Sequence, residues 1–470
     1  MKSIKIDVNV QKALEQLIKA YPLVPKVVCS IADAGGRVLL VGGAVRDLLL
    51  GLPVKDLDIE VHQLSLERLE NVLKTFGPVS LVGKMFGVLR LHHVDVDWSL
   101  PRTDSAGRKP RVEIVPTMTF EDAFRRRDLT MNAMGIDLVT YELIDPFGGQ
   151  HDLKNGVLRT PDAQLFIEDP LRFYRVMQFI GRFGMEPDNQ LDTICRGMDV
   201  KNVSVERIET EFEKLLLKSK RPSRGIRWLQ KIERLKELFP ELGVLVDVPQ
   251  HPGWHPEGDV FEHTMQTLDA AVLFEYDNAE QKLTLMYAAL CHDLGKLATT
   301  EKIEGVWRSL GHEHEVEVVK CFLKRITRKN DLIEDVQKLV RYHMIPSQLV
   351  DSDAKPSAYK RLANKLAPRV TVQMLADLCL ADKRGRNPSG HEPLSDNFEE
   401  IEQFLKKTEE ARVLESVEQP ILQGKDLFDV VDPGPKMGII LKRAYEIQPE
   451  EGITDKEILK ARVLDEFKRN

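Results

Sequence analysis

Two aspartates, Asp56 and Asp58, stand one residue apart at the end of the stretch LLVGGAVRDLLLGLPVKDLDIEV, residues 39–61. On an extended strand, residues i and i+2 point to the same face, so the spacing predicts two carboxylates crowded at one site. Such a like-charge pair is costly unless a cation offsets it, and oxygen donors suit Mg²⁺. Asp97, in VDVDWSLPR, supplies a third acid on another predicted strand. Gly42 and Gly43 fall where an apolar run gives way to a helical pattern. Glycine there lets the backbone approach a ligand, and a helix N-terminus offers free N–H groups to phosphate. Arg46 and Asp47 follow and shape that turn. Farther on, FEDAFRRRDLTMNAMGIDL (120–138) carries Arg126, Arg127, Asp128 and Asn132. Its arginines can clamp a triphosphate through bidentate, charge-assisted bonds. The stretch FIEDPLRFYRVMQF (166–179) reads as a helix whose first turn holds Glu168 and Asp169, then Arg172 and Arg175. Asp169 and Arg172, three apart, are expected on one helix face. Together these residues suit metal-assisted transfer of a nucleotide.

A second constellation lies downstream. His263 sits in FEHTMQTLDAA, His292 and Asp293 in AALCHDLGK, and Asp382 in LADKRGR. Imidazole and carboxylate donors on successive helical segments are the ligand set of a divalent metal. GHEHE and RYHM add His312, His314 and His343 as further candidate donors.

The elements that must position these groups follow from periodicity. Strands are expected at 37–41, 57–61, 87–91, 94–98, 111–115, 134–140 and 142–145, making the first 150 or so residues a mixed α/β unit. From about 162 onward a 3.6-residue period dominates. The Pro/Gly/His-rich stretch DVPQHPGWHPEGD (247–259) interrupts it as a linker or ordered loop. At 470 residues the chain is too long for one ordinary core. No run of 18 apolar residues predicts a membrane span, and the polar N-terminus lacks a secretory h-region. Five scattered cysteines without a C-x-x-C pair point to reduced thiols and a cytoplasmic protein. A net charge of −7 does not advertise a nucleic-acid binder, yet basic clusters occur at 102–127 and 218–236. The second of these is expected to track RNA phosphates.

In order along residues 38–215, GGAVRDLLLG, DLDIEV, RRRDLTMNA, DPFGGQHDL, EDPLRFYR and VSVERIETEF resemble the class II tRNA nucleotidyltransferases, the CCA-adding enzymes and their poly(A) polymerase relatives. The resemblance implies a polymerase-beta-like nucleotidyltransferase head with a mixed sheet (1–155), a helical neck and body (156–245), a helical HD domain (246–390) and a helical tail (391–470). It implies that Asp56 and Asp58 hold Mg²⁺ ions that activate the primer 3′-hydroxyl and the α-phosphate, with Asp97 beside them. Gly42, Gly43, Arg46, Asp47, Arg126–Asp128, Asn132, Glu168 and Arg175 would contact the nucleotide. Asp169 and Arg172 would read the base edge. Cytosine and adenine each present an exocyclic amine beside a ring-nitrogen acceptor, which one carboxylate and one guanidinium complement; guanine and uracil would leave both mismatched. The segment TDSAGRKP (103–110) would be the loop that helps switch from C to A. The order His263, His292-Asp293, Asp382 resembles an HD-superfamily phosphohydrolase that takes a divalent transition metal or Mg²⁺. The partners implied are the tRNA 3′ end, CTP and ATP, with no membrane and no obligate protein partner. An A-adding enzyme or poly(A) polymerase remains an alternative, as does an RNA-processing protein whose sole chemistry is HD hydrolysis.

Overall fold

The structure, a computed structural model, describes residues 4–82, 87–104 and 112–469. Most of the expected switch loop (residues 105–110) therefore lies outside the described residues. The chain divides into two compact units, Met1–Val203 and Ser204–Asn470. The boundary falls inside the stretch expected as neck and body.

In the first unit, eight strands form one mixed sheet: β1 (Ile4–Lys5), β2 (Arg37–Val41), β3 (Leu57–His62), β4 (Val79–Val82), β5 (Val88–Leu91), β6 (Val96–Ser99), and, after the separate pair β7 (Arg102–Asp104) and β8 (Val112–Ile114), β9 (Gly135–Asp137) and β10 (Glu142–Ile144). Their order is β1-β10-β9-β2-β3-β6-β5-β4. All seven expected strands are present, several shorter than their periodic runs. The two-residue β1 and the edge strands β4 and β7 carry too little pattern to be read from sequence. The apolar run of β2 is explained by its place: it pairs β3 on one side and β9 on the other and is buried along nearly its whole length. Leu39, Val41, Phe124, Ala133 and Ile144 form a core beneath it. The parallel pairing of β3 with β6 sets Asp58 directly opposite Asp97.

Among the described residues the second unit is helical, as its period demands, except for one hairpin, Thr300–Ile303 with Val306–Ser309. Helical periodicity was expected to run on here. The turn explains the difference: Glu304 and Gly305 both have positive φ (52° and 84°), the two-residue loop that matches strand twist. The tail has its own apolar cluster, including Leu427, Met437, Ile440, Ile447, Leu459 and Val463.

Candidate functional site

The sheet of the first unit opens into a cleft of about 360 Å³ lined by Asp58, Glu60, Asp97, Arg126, Arg127 and Arg172, among others. Asp56 lies just before β3, exposed, and does not line it. The Asp58 carboxyl is pushed above its ordinary pKa, chiefly by loss of water; Arg127 opposes this, and Asp97 and Asp56 add to it. A carboxylate whose proton affinity is raised by burial and by two neighbouring carboxylates is the hard-donor arrangement a divalent cation relieves, so the residues fit Mg²⁺. Asp97 meanwhile takes a 2.6 Å ion pair from Arg90, its neighbour on β5.

The glycine turn is built as the spacing suggested. Gly42 adopts φ 69°, a conformation closed to side chains, and starts the helix Gly43–Leu49. A Cβ on Gly42 would come within 3.3 Å of the Arg127 guanidinium. Arg46 turns away from the cleft: it is buried, donates to Asn132 Oδ1 at 2.6 Å, pairs with Asp47 at 2.7 Å and packs over Phe183 at 4.8 Å. Asp128 is likewise internal. Burial pushes its pKa up, but Arg175, Asn132 and the Leu129 N–H outweigh that and hold it at about 2. Arg175, expected to face a nucleotide, sits on Asp128 at 2.6 Å. Hence Arg46, Asp47, Asp128, Asn132 and Arg175 form one strut behind the cleft, and Arg126, Arg127 and Arg172 are its cationic wall.

The 166–179 stretch departs from expectation. Its helix begins at Leu171, so Glu168 ends the preceding helix Ala163–Ile167 and Asp169 lies between the two. Asp169 and Arg172 therefore do not share a helix face; instead Asp169 accepts from the Leu171 N–H at 3.2 Å. Pro170 explains this, because the residue before proline is pushed out of the helical region. Arg172 reaches the cleft while donating to the carbonyls of Leu165 (2.7 Å) and Arg126 (2.6 Å).

Glu60 was missed. It is buried, accepts from Arg127 at 3.3 Å and contacts His62 Nε2 at 2.9 Å. Although burial acts to raise its pKa, His62 and Arg127 hold it lowered. Its parity with Asp58 on β3 was the available signal.

The second unit gathers the histidine and aspartate donors. His263 Nε2 is 2.9 Å from Asp382 Oδ1 and 3.2 Å from His292 Nε2. Asp293 joins this group to another: its Oδ2 is 3.2 Å from His292 Nε2 and its Oδ1 is 3.2 Å from His312 Nε2, which lies 3.3 Å from His343 Nε2. His314 stands apart, exposed to solvent. Burial, then His312 and His292, lowers the His343 pKa to about 3, leaving the neutral imidazole a metal requires. Two residues not singled out from sequence complete the site. Glu257 contacts His263 Nδ1 at 2.7 Å, the orientation a carboxylate gives a metal-ligating histidine. Lys296 reaches Asp293 at 2.7 Å. The mixed imidazole and carboxylate donors, with ligand atoms clustered within 4.8 Å, fit a divalent transition metal.

The basic cluster 218–236 is partly committed to structure. Arg221 pairs with Asp269, Arg227 with Glu262, and Arg234 with Glu237.

Three family models match in sequence: the Poly A polymerase head domain over residues 38–159, the probable RNA and SrmB-binding site of polymerase A over 198–245, and the HD domain over 260–383. A multifunctional CCA protein of Chromobacterium violaceum is 35% identical over 364 residues, covering 74% of this chain and 85% of that protein. The chain belongs to the multifunctional CCA protein family. A second member, from Neisseria meningitidis, is 35% identical over 370 residues, covering 76% and 84%. The CCA-adding fold extends across the whole chain. A Bacillus stearothermophilus CCA-adding enzyme in complex with CTP superposes with TM-score 0.61 at 20% identity, covering 99% of each chain. The Thermotoga maritima CCA-adding enzyme complexed with tRNA gives 0.56 at 20%, covering 98% and 97%. As a member of this family the chain is a nucleotidyltransferase. No described helix is long and apolar enough to cross a membrane.

Proposed function

We propose that this chain adds CMP and AMP to the 3′ end of tRNA without a nucleic-acid template, and that its second unit hydrolyses phosphoesters. The observation carrying the first part is the meeting of Asp58 and Asp97, on neighbouring strands, with Arg126, Arg127 and Arg172 around one cleft. Asp56, Asp58 and Asp97 would hold Mg²⁺. When bound, such cations favour the ionised primer hydroxyl and stabilise charge on the phosphates. The primer 3′-oxygen attacks the α-phosphorus, the bond to the β-phosphate oxygen breaks, and pyrophosphate leaves. Arg126 and Arg127 bind the triphosphate through charge-assisted hydrogen bonds. Arg172 is the member of the Asp169–Arg172 pair placed to meet a base edge, and Asp169 sets the start of its helix. The strut running from Arg46 through Asn132 and Asp128 to Arg175 fixes the glycine turn against that helix, so wall and floor keep register.

In the second unit, His263, His292 and Asp382 form one donor group and Asp293, His312 and His343 another, which suits two divalent cations. Hydrolysis there adds a water oxygen to phosphorus, breaks the P–O ester bond and delivers a proton to the leaving alkoxide. Action on tRNA and five cysteines that form no disulfide accord with a cytoplasmic protein.

The test is single-nucleotide extension of tRNA transcripts ending before the tail, at C and at CC, each with ATP, CTP, GTP or UTP and Mg²⁺. CTP should extend the first two and ATP the third. Extension of the CC-ended transcript alone, with ATP alone, would make this an A-adding enzyme. Asp58→Ala should abolish extension and leave hydrolysis; extension that persists would remove Asp58 from the metal site.

A further inference from the structure

Strand β3 places Asp58, Glu60 and His62 on one face. Asp58 and Glu60 line the nucleotide cleft, whereas His62 does not reach it and is 2% exposed. A histidine buried this deeply needs partners for both ring nitrogens. His62 has them: Nε2 meets Glu60 Oε1 at 2.9 Å, and Nδ1 meets the Met118 carbonyl oxygen at 3.3 Å. Both partners are acceptors, and only a ring with hydrogen on both nitrogens donates to the two at once. Phe120 packs T-shaped against the imidazole, with centroids 4.7 Å apart.

These partners lie at the two ends of one segment. Met118 and Phe120 stand where the helix Phe120–Arg125 begins, and Arg127 follows its end. His62 grips the start directly and the end through Glu60. With Oε1 engaged by His62, the Glu60 carboxylate turns Oε2 to Arg127 Nη2 at 3.3 Å. Arg127 Nη1 then lies over the glycine turn, 3.3 Å from where a Cβ on Gly42 would stand. A guanidinium has more donors than one carboxylate oxygen can take, so Arg127 can be held and still bind phosphate.

We propose that His62 is a positioning residue for nucleotide transfer: it fixes Glu60, and through Glu60 it aims Arg127 at the triphosphate. The proposal rests on the reading of Arg127 as a triphosphate ligand and adds the residue that sets its direction. Because the relay ends at phosphate and not at a base, losing His62 weakens CTP and ATP alike.

The experiment exploits the two ring nitrogens. A glutamine amide reaches about as far as Nε2, and an asparagine amide about as far as Nδ1, so His62→Gln keeps the Glu60 contact and His62→Asn the Met118 contact. KM and kcat are measured for ATP on CC-ended tRNA and for CTP on C-ended tRNA. ATP binding with Mg²⁺ and no tRNA is measured beside them by equilibrium dialysis. His62→Ala should raise both KM values and the ATP dissociation constant about fivefold, with a smaller change in kcat. His62→Gln should recover most of that loss and His62→Asn little of it. In a Glu60→Gln background His62→Ala should add no further rise, because both act through one carboxylate. Unchanged binding in His62→Ala, rescue by asparagine in place of glutamine, additive rises with Glu60→Gln, or a rise for one nucleotide alone would each overturn the relay. If His62→Ala does not fold, the glutamine and asparagine variants decide. Arg127→Ala separates the two readings: if it leaves nucleotide binding unchanged, the triphosphate assignment of Arg127 falls. If Arg127→Ala weakens binding and the His62 variants do not, only the relay falls.

Discussion

Replacing Arg175 by alanine tests whether the strut behind the nucleotide cleft is held by Asp128. The Asp128 carboxylate is buried and accepts from Arg175 (2.6 Å), Asn132 (2.9 Å) and the Leu129 N–H (2.8 Å). Its pKa is about 2 where the ordinary value is 3.8, so its ionisation contributes about 2.4 kcal/mol of stability at neutral pH. Removing Arg175 leaves the burial in place and takes away the strongest opposing charge, so about 2 kcal/mol should be lost. For a unit of this size that lowers the melting midpoint by roughly 4–8 °C. Because the folded pKa is depressed, the contribution is complete above 3.8 and disappears as pH falls towards 2. The gap between wild type and variant should therefore be constant from pH 7 to about 5 and fall to about half near pH 3. Hydrogen-exchange mass spectrometry of peptides from 120–138 isolates the first unit from the second. A variant within about 0.5 kcal/mol of wild type at pH 7, or a gap that does not narrow between pH 5 and 3, would refute the reasoning.

Three further perturbations probe other parts of the structure. Gly42→Ala puts a side chain at φ 69° and against Arg127, so a cost of about 1–3 kcal/mol is expected together with a raised KM for nucleotide; unchanged stability would show that the turn relaxes freely. Glu60→Gln removes the carboxylate that holds Arg127 and His62, and KM for ATP and CTP should rise about tenfold; an unaltered KM would mean that Arg127 needs no such anchor. His343→Ala removes a ligand from the group containing Asp293 and His312, so elemental analysis should find about one divalent ion fewer per chain than in wild type. Equal metal content would confine the centre to His263, His292 and Asp382.

Much of the site was legible because its signals are local. The glycine pair between strand and helix and the His292-Asp293 doublet each express a short-range rule that survives without tertiary context, whereas the i, i+2 rule brings only Asp58 to the cleft, because Asp56 lies just before β3. The alternation that places Asp58 also places Glu60, but its role was not legible, since Arg127 arrives from 67 residues away. Asp169 was misplaced for a local reason, the backbone restriction before Pro170. The hairpin was missed because two short strands around Glu304-Gly305 are outweighed by the helical period on both sides.

What the sequence alone determined was the order of units, the strands of the sheet and the residue types available for metal and phosphate. The tertiary structure decided which charges meet. The parallel register of β3 and β6 sets Asp97 against Asp58. Arg175 and Arg46, written into the motifs as candidate nucleotide contacts, are drawn inward to Asp128 and Asn132. Arg221 and Arg227 of the basic cluster are drawn to Asp269 and Glu262, 48 and 35 residues away. The physical reason is that backbone periodicity is set by neighbours in sequence. An ion pair is set by burial and distance, and these exist only once the chain has closed on itself.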